Sequence, residues 1–419
     1  MARVAPRFCR VEPRRHARDL VVGMLAGLGR TNCWTVAEHA GDRSPAGLQH
    51  LLAAARWDAE AVRDDLRDYV LEHLADPQAV LVVDETGDVK KGSKTVGVQR
   101  QYTGTAGRVE NAQVAVYLAY STQAGCAFID RALYLPKAWT GDDERMAAAG
   151  VPAGTVFATK PALARAMIAR ALDAGVSAAW VTGDEVYGQD PDLRADLIER
   201  GLGHVLAVSR DHRVRTGIGT RRAVEIAVRL PKRAWHRLSA GAGAKGHRWY
   251  DWALVALTDP QAGPGHHHHL LVRRNRRTGE LAFYRTWTPQ PVPLPALVTV
   301  AGRRWSIEEG FQTGKELTAL DQHQVRGWTS WNRWTTLALL AHAFLTVMAA
   351  TSPAIDGPGG DNGRQELIPL TRNEIRRLFT LVLTRTVRAL EDIAHWSRWR
   401  RRHQAQAKAC HYRRQAALT

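Results

Sequence analysis

Paired cysteines are missing from this chain. Cys9, Cys33, Cys126 and Cys410 lie far apart, with none of the short Cys/His spacings that hold zinc. That excludes a disulfide-stapled scaffold and predicts reduced thiols in a cytoplasmic protein. Long apolar runs are missing too. No stretch reaches the roughly 20 residues a membrane span requires, so no membrane partner is expected. The longest run, residues 337–350, is interrupted by His342 and predicts a buried helix. The Arg-rich N-terminal segment has no apolar core followed by a small-residue cleavage site, which predicts a protein that is not secreted. Acids are the third shortage: 41 Asp and Glu stand against 58 Lys and Arg, a net charge of +17.

What is present describes a folded, multi-domain protein. Hydrophobic residues at 45% and charged residues at 24% exclude a disordered chain. A length of 419 residues predicts two or three domains. The positive charge is concentrated. Residues 210–290 hold 16 Lys and Arg against 5 Asp and Glu, and residues 396–419 hold seven Lys and Arg with no acid. Such blocks attract a polyanion and release its counterions.

Five segments follow from the pattern. Residues 1–75 read as helices, with Gly41-Asp42-Arg43 between two of them and Ser44-Pro45 as a cap for the next. Helix, turn, helix with Arg43, His50 and Arg56 predicts a DNA-binding unit of helix-turn-helix type. Residues 76–210 alternate: three strands, helix, strand, helix, strand. Residues 211–290 form a basic β-rich insertion, with strands predicted at 224–230, 249–257, 270–274 and 281–287. Residues 291–350 return to helix. Residues 351–419 hold a Pro/Gly-rich linker at 352–363, a helix over 371–388 and a basic tail.

Three acids stand out against this background. Asp84 closes the apolar run 79–83, Asp184 follows the run 178–183, and Glu308 lies in a helical segment. Arg304, Glu308 and Lys315 are spaced i, i+4 and i+11, within about 40° of one another on a helix. Alone, that face is an ordinary exposed salt-bridged surface. Trp305, Ile307, Phe311 and Leu317 make the helix half-buried, and the strand-end aspartates give Glu308 somewhere to point. Carboxylates so placed can hold two hard divalent cations against a phosphodiester.

The segment Arg304-Trp305-Ser306-Ile307-Glu308-Glu309, with Phe311 and Lys315, resembles the C-terminal signature of bacterial insertion-sequence transposases of the DDE class. It resembles those members with a β-strand insertion before the catalytic Glu. Val-Val-Asp84-Glu-Thr-Gly and Val-Thr-Gly-Asp184-Glu-Val-Tyr-Gly look like the family's first and second acids. The stretches 97–102 and 111–114 are similar to one branch of it. The likeness extends over about residues 20–415, and it departs from the family where Ala301 replaces a Tyr.

The resemblance implies a ribonuclease-H-like α/β core, a mixed sheet with helices interrupted by the insertion. It implies cut-and-paste DNA transposition in the bacterial cytoplasm, at the nucleoid. Two Mg²⁺ ions, with Mn²⁺ as a substitute, would be held by Asp84, Asp184 and Glu308. The partners would be terminal inverted repeats and target DNA, bound by a dimer in the paired-end complex. Arg304 and Lys315 would contact DNA backbone, as would Lys90, Lys91 and Lys94 and the insertion's Arg273, Arg274, Arg276 and Arg277. Two other readings compete: a transposase-derived DNA-binding protein without catalysis, and a metal-dependent endonuclease without strand transfer. Among neighbouring acids, Asp88 is the substitute for Asp84, while Glu85 and Glu185 should face away from the aspartates. Trp235, Trp249, Trp252 and Trp287 either stack on bases or form the insertion's own core. His266–269 alternate on a strand and cannot converge on one ion, so they read as structural or DNA-facing.

Overall fold

The computed structural model describes residues 1–217, 219–243, 246–258, 267–352, 369–383 and 390–416. His266, most of the predicted linker and residues 384–388 of the predicted C-terminal helix lie outside the described residues.

Twelve strands are present among the described residues. They are β1 (Val80–Val89), β2 (Gln99–Thr103), β3 (Arg108–Ser121), β4 (Cys126–Leu133), β5 (Trp180–Gly183) and β6 (Gly203–Val208). Then follow β7 (Arg213–Thr216), β8 (Gly219–Arg222), β9 (His236–Gly243), β10 (Gly246–Ala256), β11 (His267–Arg274) and β12 (Leu281–Thr288). β3 pairs antiparallel with β1 on one side and with β4 in the same hairpin run. β1 pairs parallel with β5, and β5 parallel with β6. Three antiparallel strands followed by two parallel ones is the ribonuclease-H-like core. The apolar runs explain it: β5 is buried along its whole length and β1 over its first four residues, as strands covered on both faces must be.

The insertion does not stand apart from this core. β12 pairs antiparallel with β6, and β11, β10 and β9 continue outward, so one ten-stranded sheet runs through both. Leu271 and Tyr284 share the main core, and Val272 and Phe283 a smaller one with Val208. The predicted strand at 224–230 is instead the helix Ala223–Val228. Ala223 and Ala227 are buried one turn apart, and Glu225 accepts from the Arg222 backbone N–H at 3.2 Å, capping it. β9 was not predicted because Ser239-Ala240-Gly241-Ala242-Gly243 carries almost no alternating apolar signal. It packs on the helix Leu294–Arg303 at Gly302, where a Cβ would overlap the Ala240 carbonyl oxygen. Arg248 donates to both Ala240 and Gly302 carbonyls, at 2.8 and 3.1 Å.

Four helices precede the sheet: Val11–Leu25, Cys33–Ala40, Ala46–Ala53 and Ala59–Leu74. Asn32 caps the second through the Trp34 and Thr35 N–H groups, and Gly41, at φ 80°, ends it in the left-handed region. Arg43, His50 and Arg56 are exposed. This unit is fixed to the core by the helix Trp328–Thr351. The buried Arg333 guanidinium donates to the carbonyls of Leu51, Leu52, Ala55 and Trp57, at 2.6 to 3.4 Å. It thereby satisfies carbonyls at and just beyond the C-terminus of Ala46–Ala53, where a cation is favoured. By length and composition Trp328–Thr351 could cross a membrane, but 67% of its most apolar window is buried inside the protein, as expected for a core helix.

Candidate active site

Register decides the position of the first two acids. Val83 lies opposite Gly183, the last residue of β5, so Asp184 leaves β5 level with Asp84, which lies midway along β1 where its pairing with β5 ends. Carboxyl ends of parallel strands are where α/β folds place their ligands. Asp184 also caps the short turn Glu185–Gly188, accepting from the Val186 N–H at 2.9 Å.

The third acid comes from the helix Trp305–Thr318. Arg304 precedes its first residue, and its guanidinium reaches Glu308 at 2.8 Å and Asp84 at 3.8 Å. One cation therefore joins the helix acid to the first strand acid. Lys315 lies further along the same face, with Nζ donating to Thr86 at 2.7 Å and Thr105 at 3.0 Å. Thr86 is two residues past Asp84, hence on the same side of β1. Glu309 is exposed. At the position where the family has Tyr, Ala301 is buried.

The electrostatics are strained. Burial, then the charge of Asp184, pushes the Asp84 carboxyl from 3.8 up to about 8, with Arg304 only partly opposing. Asp184 is raised by burial and then by Glu85. Two half-buried carboxylates at the same level of adjacent strands are an anionic site short of positive charge. Glu85 faces the opposite side of β1, where Lys160 Nζ and Tyr187 Oη each donate to it at 2.6 Å. Lys160 and Tyr187 went unrecognised in the sequence. The usable signal was that an acid beside a buried strand needs a partner on its own face.

Asp88 is occupied elsewhere. Its carboxylate is 2.9 Å from His323 Nε2 and 3.9 Å from Lys90 Nζ. Burial opposes its ionisation, but the His323 hydrogen bond and the charges of His323, Lys90 and Lys315 outweigh this and hold it low. Lys90 points inward, donating to the His323 carbonyl at 3.3 Å, whereas Lys91 and Lys94 are exposed. Among the described residues, no three His, Cys, Asp or Glu side chains are gathered closely enough to hold a metal ion. Glu308 is drawn to Arg304 instead.

In the insertion, Arg273 lies over the Tyr250 ring at 4.7 Å and Arg274 over Trp235 at 4.1 Å. Arg274 and Arg276 also reach Asp251, at 3.0 and 3.4 Å, and Arg277 is exposed. Trp252 and Trp287 are core residues, each 1% exposed, whereas Trp249 is 47% exposed with Arg237 over its ring. His268 is buried between the half-buried His267 and His269, as alternation on β11 requires.

Residues 3–224, more than half of the chain, match the family model described as DDE superfamily endonuclease. This segment contains Asp84 and Asp184 and stops short of Glu308. The chain is also 32% identical over 197 residues to a protein of Microchaete diplosiphon named "Probable transposase for insertion sequence element IS701". The aligned part is 46% of this chain and 49% of that protein, so the chain spans about half the length of its curated relative.

Proposed function

We propose, from the premise that the chain belongs to the DDE superfamily of endonucleases, that it is an insertion-sequence transposase working by cut-and-paste. The observation that supports this reading is that the Arg304 guanidinium reaches both Glu308 and Asp84, while Asp184 leaves β5 level with Asp84. Asp84 and Asp184 fit a hard cation: their oxygens are hard donors, and their mutual repulsion is what a cation would relieve. Asp84, Asp184 and Glu308 would hold Mg²⁺, or Mn²⁺ in its place, which when bound supplies a reactive water or hydroxyl and charge stabilisation at the leaving oxygen.

The chain's own side chains do the rest. Arg304 holds Glu308 beside Asp84 and, on DNA binding, turns to a phosphate, freeing Glu308 for the site. Lys315, Lys91 and Lys94 seat the backbone next to the scissile bond. Water adds to phosphorus as the bond to the 3′ oxygen breaks, and that oxygen leaves as a 3′-hydroxyl. In strand transfer the same 3′-hydroxyl attacks a target phosphorus and gives up its proton, as the bond to the target strand's own 3′ oxygen breaks and that oxygen leaves as a hydroxyl. The partners are the element's inverted repeats and target DNA, held by a dimer in the bacterial cytoplasm. The insertion's Arg273 and Arg274 lie on β11, in the same sheet as Asp84, and with Arg276 and Arg277 just beyond it bind the transposon end.

Asp184→Ala tests the reading on a plasmid carrying the sequences that flank the gene. Cleavage should be lost while gel-shift binding persists, because phosphate contacts dominate affinity. Full cleavage by this variant would refute the site.

A further inference from the structure

The longest described element is the helix Leu390–Ala416, 27 residues and about 40 Å from end to end. Its N-terminal half docks. Trp399 packs edge-on to Trp34 at 4.7 Å, and His403 meets the same ring at 4.7 Å. Trp396 donates to the Asp42 carbonyl at 3.1 Å, and Arg400 pairs with Glu38. Trp34 and Glu38 belong to the helix Cys33–Ala40, and Asp42 to the turn after it. The C-terminal helix is thus seated on the predicted DNA-reading unit.

The two faces differ in chemistry. At about 100° per residue, Trp396, Trp399, Arg400 and His403 fall within about 100° of one another and form the docked face. Arg398, Arg401, Arg402, Lys408 and Arg413 fall within about 140° on the opposite side. All five are exposed, as are all of residues 401–410. No acid lies between 396 and 416. The exposed stretch carries Arg, His, Gln, Ala, Lys and Cys, with no repeating apolar stripe for a coiled coil with a second copy.

We infer that Leu390–Ala416 is a DNA-binding arm, its outward cations contacting duplex phosphates while its tryptophans hold it on the N-terminal helices. An isolated helix of this charge repels itself, and a polyanion removes that cost. A duplex groove also admits a helix of this diameter. Docking beside Asp42 and Arg43 means that DNA held by the N-terminal helices runs past the arm. The inference rests on the proposed DNA-directed function and assigns a contact surface that the acidic site does not include.

The test uses the full chain and random-sequence duplex DNA, with affinity measured by fluorescence anisotropy from 50 to 200 mM salt. Arg401→Gln, Arg402→Gln, Lys408→Gln and Arg413→Gln combined should weaken binding at least tenfold and flatten the slope of log affinity against log salt by about three. An unchanged slope would overturn the arm. A photo-crosslinking amino acid at position 405, centred on the cationic arc, gives an independent readout in a chain with its charges intact. Crosslinks to the duplex support the arm, and their absence overturns it. Wild-type protein that fails to bind duplex at all would instead overturn the function on which the inference rests.

Discussion

Replacing Asp84 by Asn should make the metal-free protein more stable while abolishing cleavage. In the unfolded chain this carboxyl ionises near 3.8; in the fold it keeps its proton to about 8. The protonated form is therefore the one folding favours. Its contribution is fully present below about pH 4 and is lost as pH rises towards about 8. At pH 7 the ceiling on the resulting penalty is about 4 kcal/mol, and relaxation and water penetration reduce a realistic value to about 2 kcal/mol. Asn removes the charge, keeps the shape and leaves Arg304 its 2.8 Å pair with Glu308. Without divalent ions the Asn variant should melt about 3 °C above wild type at pH 7.5, with the difference shrinking at pH 5. Millimolar Mg²⁺ should narrow the gap by raising the wild type alone. A variant equally or less stable than wild type at pH 7.5 would refute the strained-acid account.

Two further outcomes follow from the geometry. Lys315→Ala removes the ammonium that bridges Thr86 and Thr105 and should cut cleavage at least tenfold, with the fold intact and salt dependence slightly flatter; unchanged cleavage would make that helix face an ordinary salt-bridged surface. Reversing Arg273, Arg274, Arg276 and Arg277 to Glu should reduce end binding and cleavage together at moderate salt, and a protein still binding ends at full strength would free the insertion of that role. Part of that loss will come from the Asp251 pairs of Arg274 and Arg276, so binding to random duplex should be measured alongside.

The sequence was most legible where one residue's periodicity met another's burial. Asp84 and Asp184 stand out because each follows a run too apolar to be anything but a covered strand, and the parallel register of β1 with β5 sets them at the same level. Arg304, Glu308 and Lys315 were legible because helical spacing is fixed, and the Arg304–Glu308 pair forms as that spacing requires. Partners distant in sequence were not legible. Lys160 and Tyr187 on Glu85, and His323 on Asp88, are joined only by tertiary packing. Lys90 read as a phosphate contact because its neighbours are lysines, yet the loop carrying His323 folds over it. The C-terminal residues read as a basic tail because charge hides helical order when no apolar stripe marks it. Their docking rests on two aromatic contacts with Trp34, from Trp399 and His403, with Trp396 packed against Trp399. The continuous sheet was hidden for another reason: β9 is glycine- and alanine-rich, and the pairing of β12 with β6 spans some 80 residues of chain.

The most direct test of the central claim is anomalous diffraction from Mn²⁺-soaked crystals of the protein bound to a duplex end. The account predicts two Mn²⁺ ions about 4 Å apart on Asp84, Asp184 and Glu308, with the Arg304 guanidinium turned to a backbone phosphate. Manganese bound elsewhere, or Glu308 still paired with Arg304 beside a DNA-filled site, would contradict it.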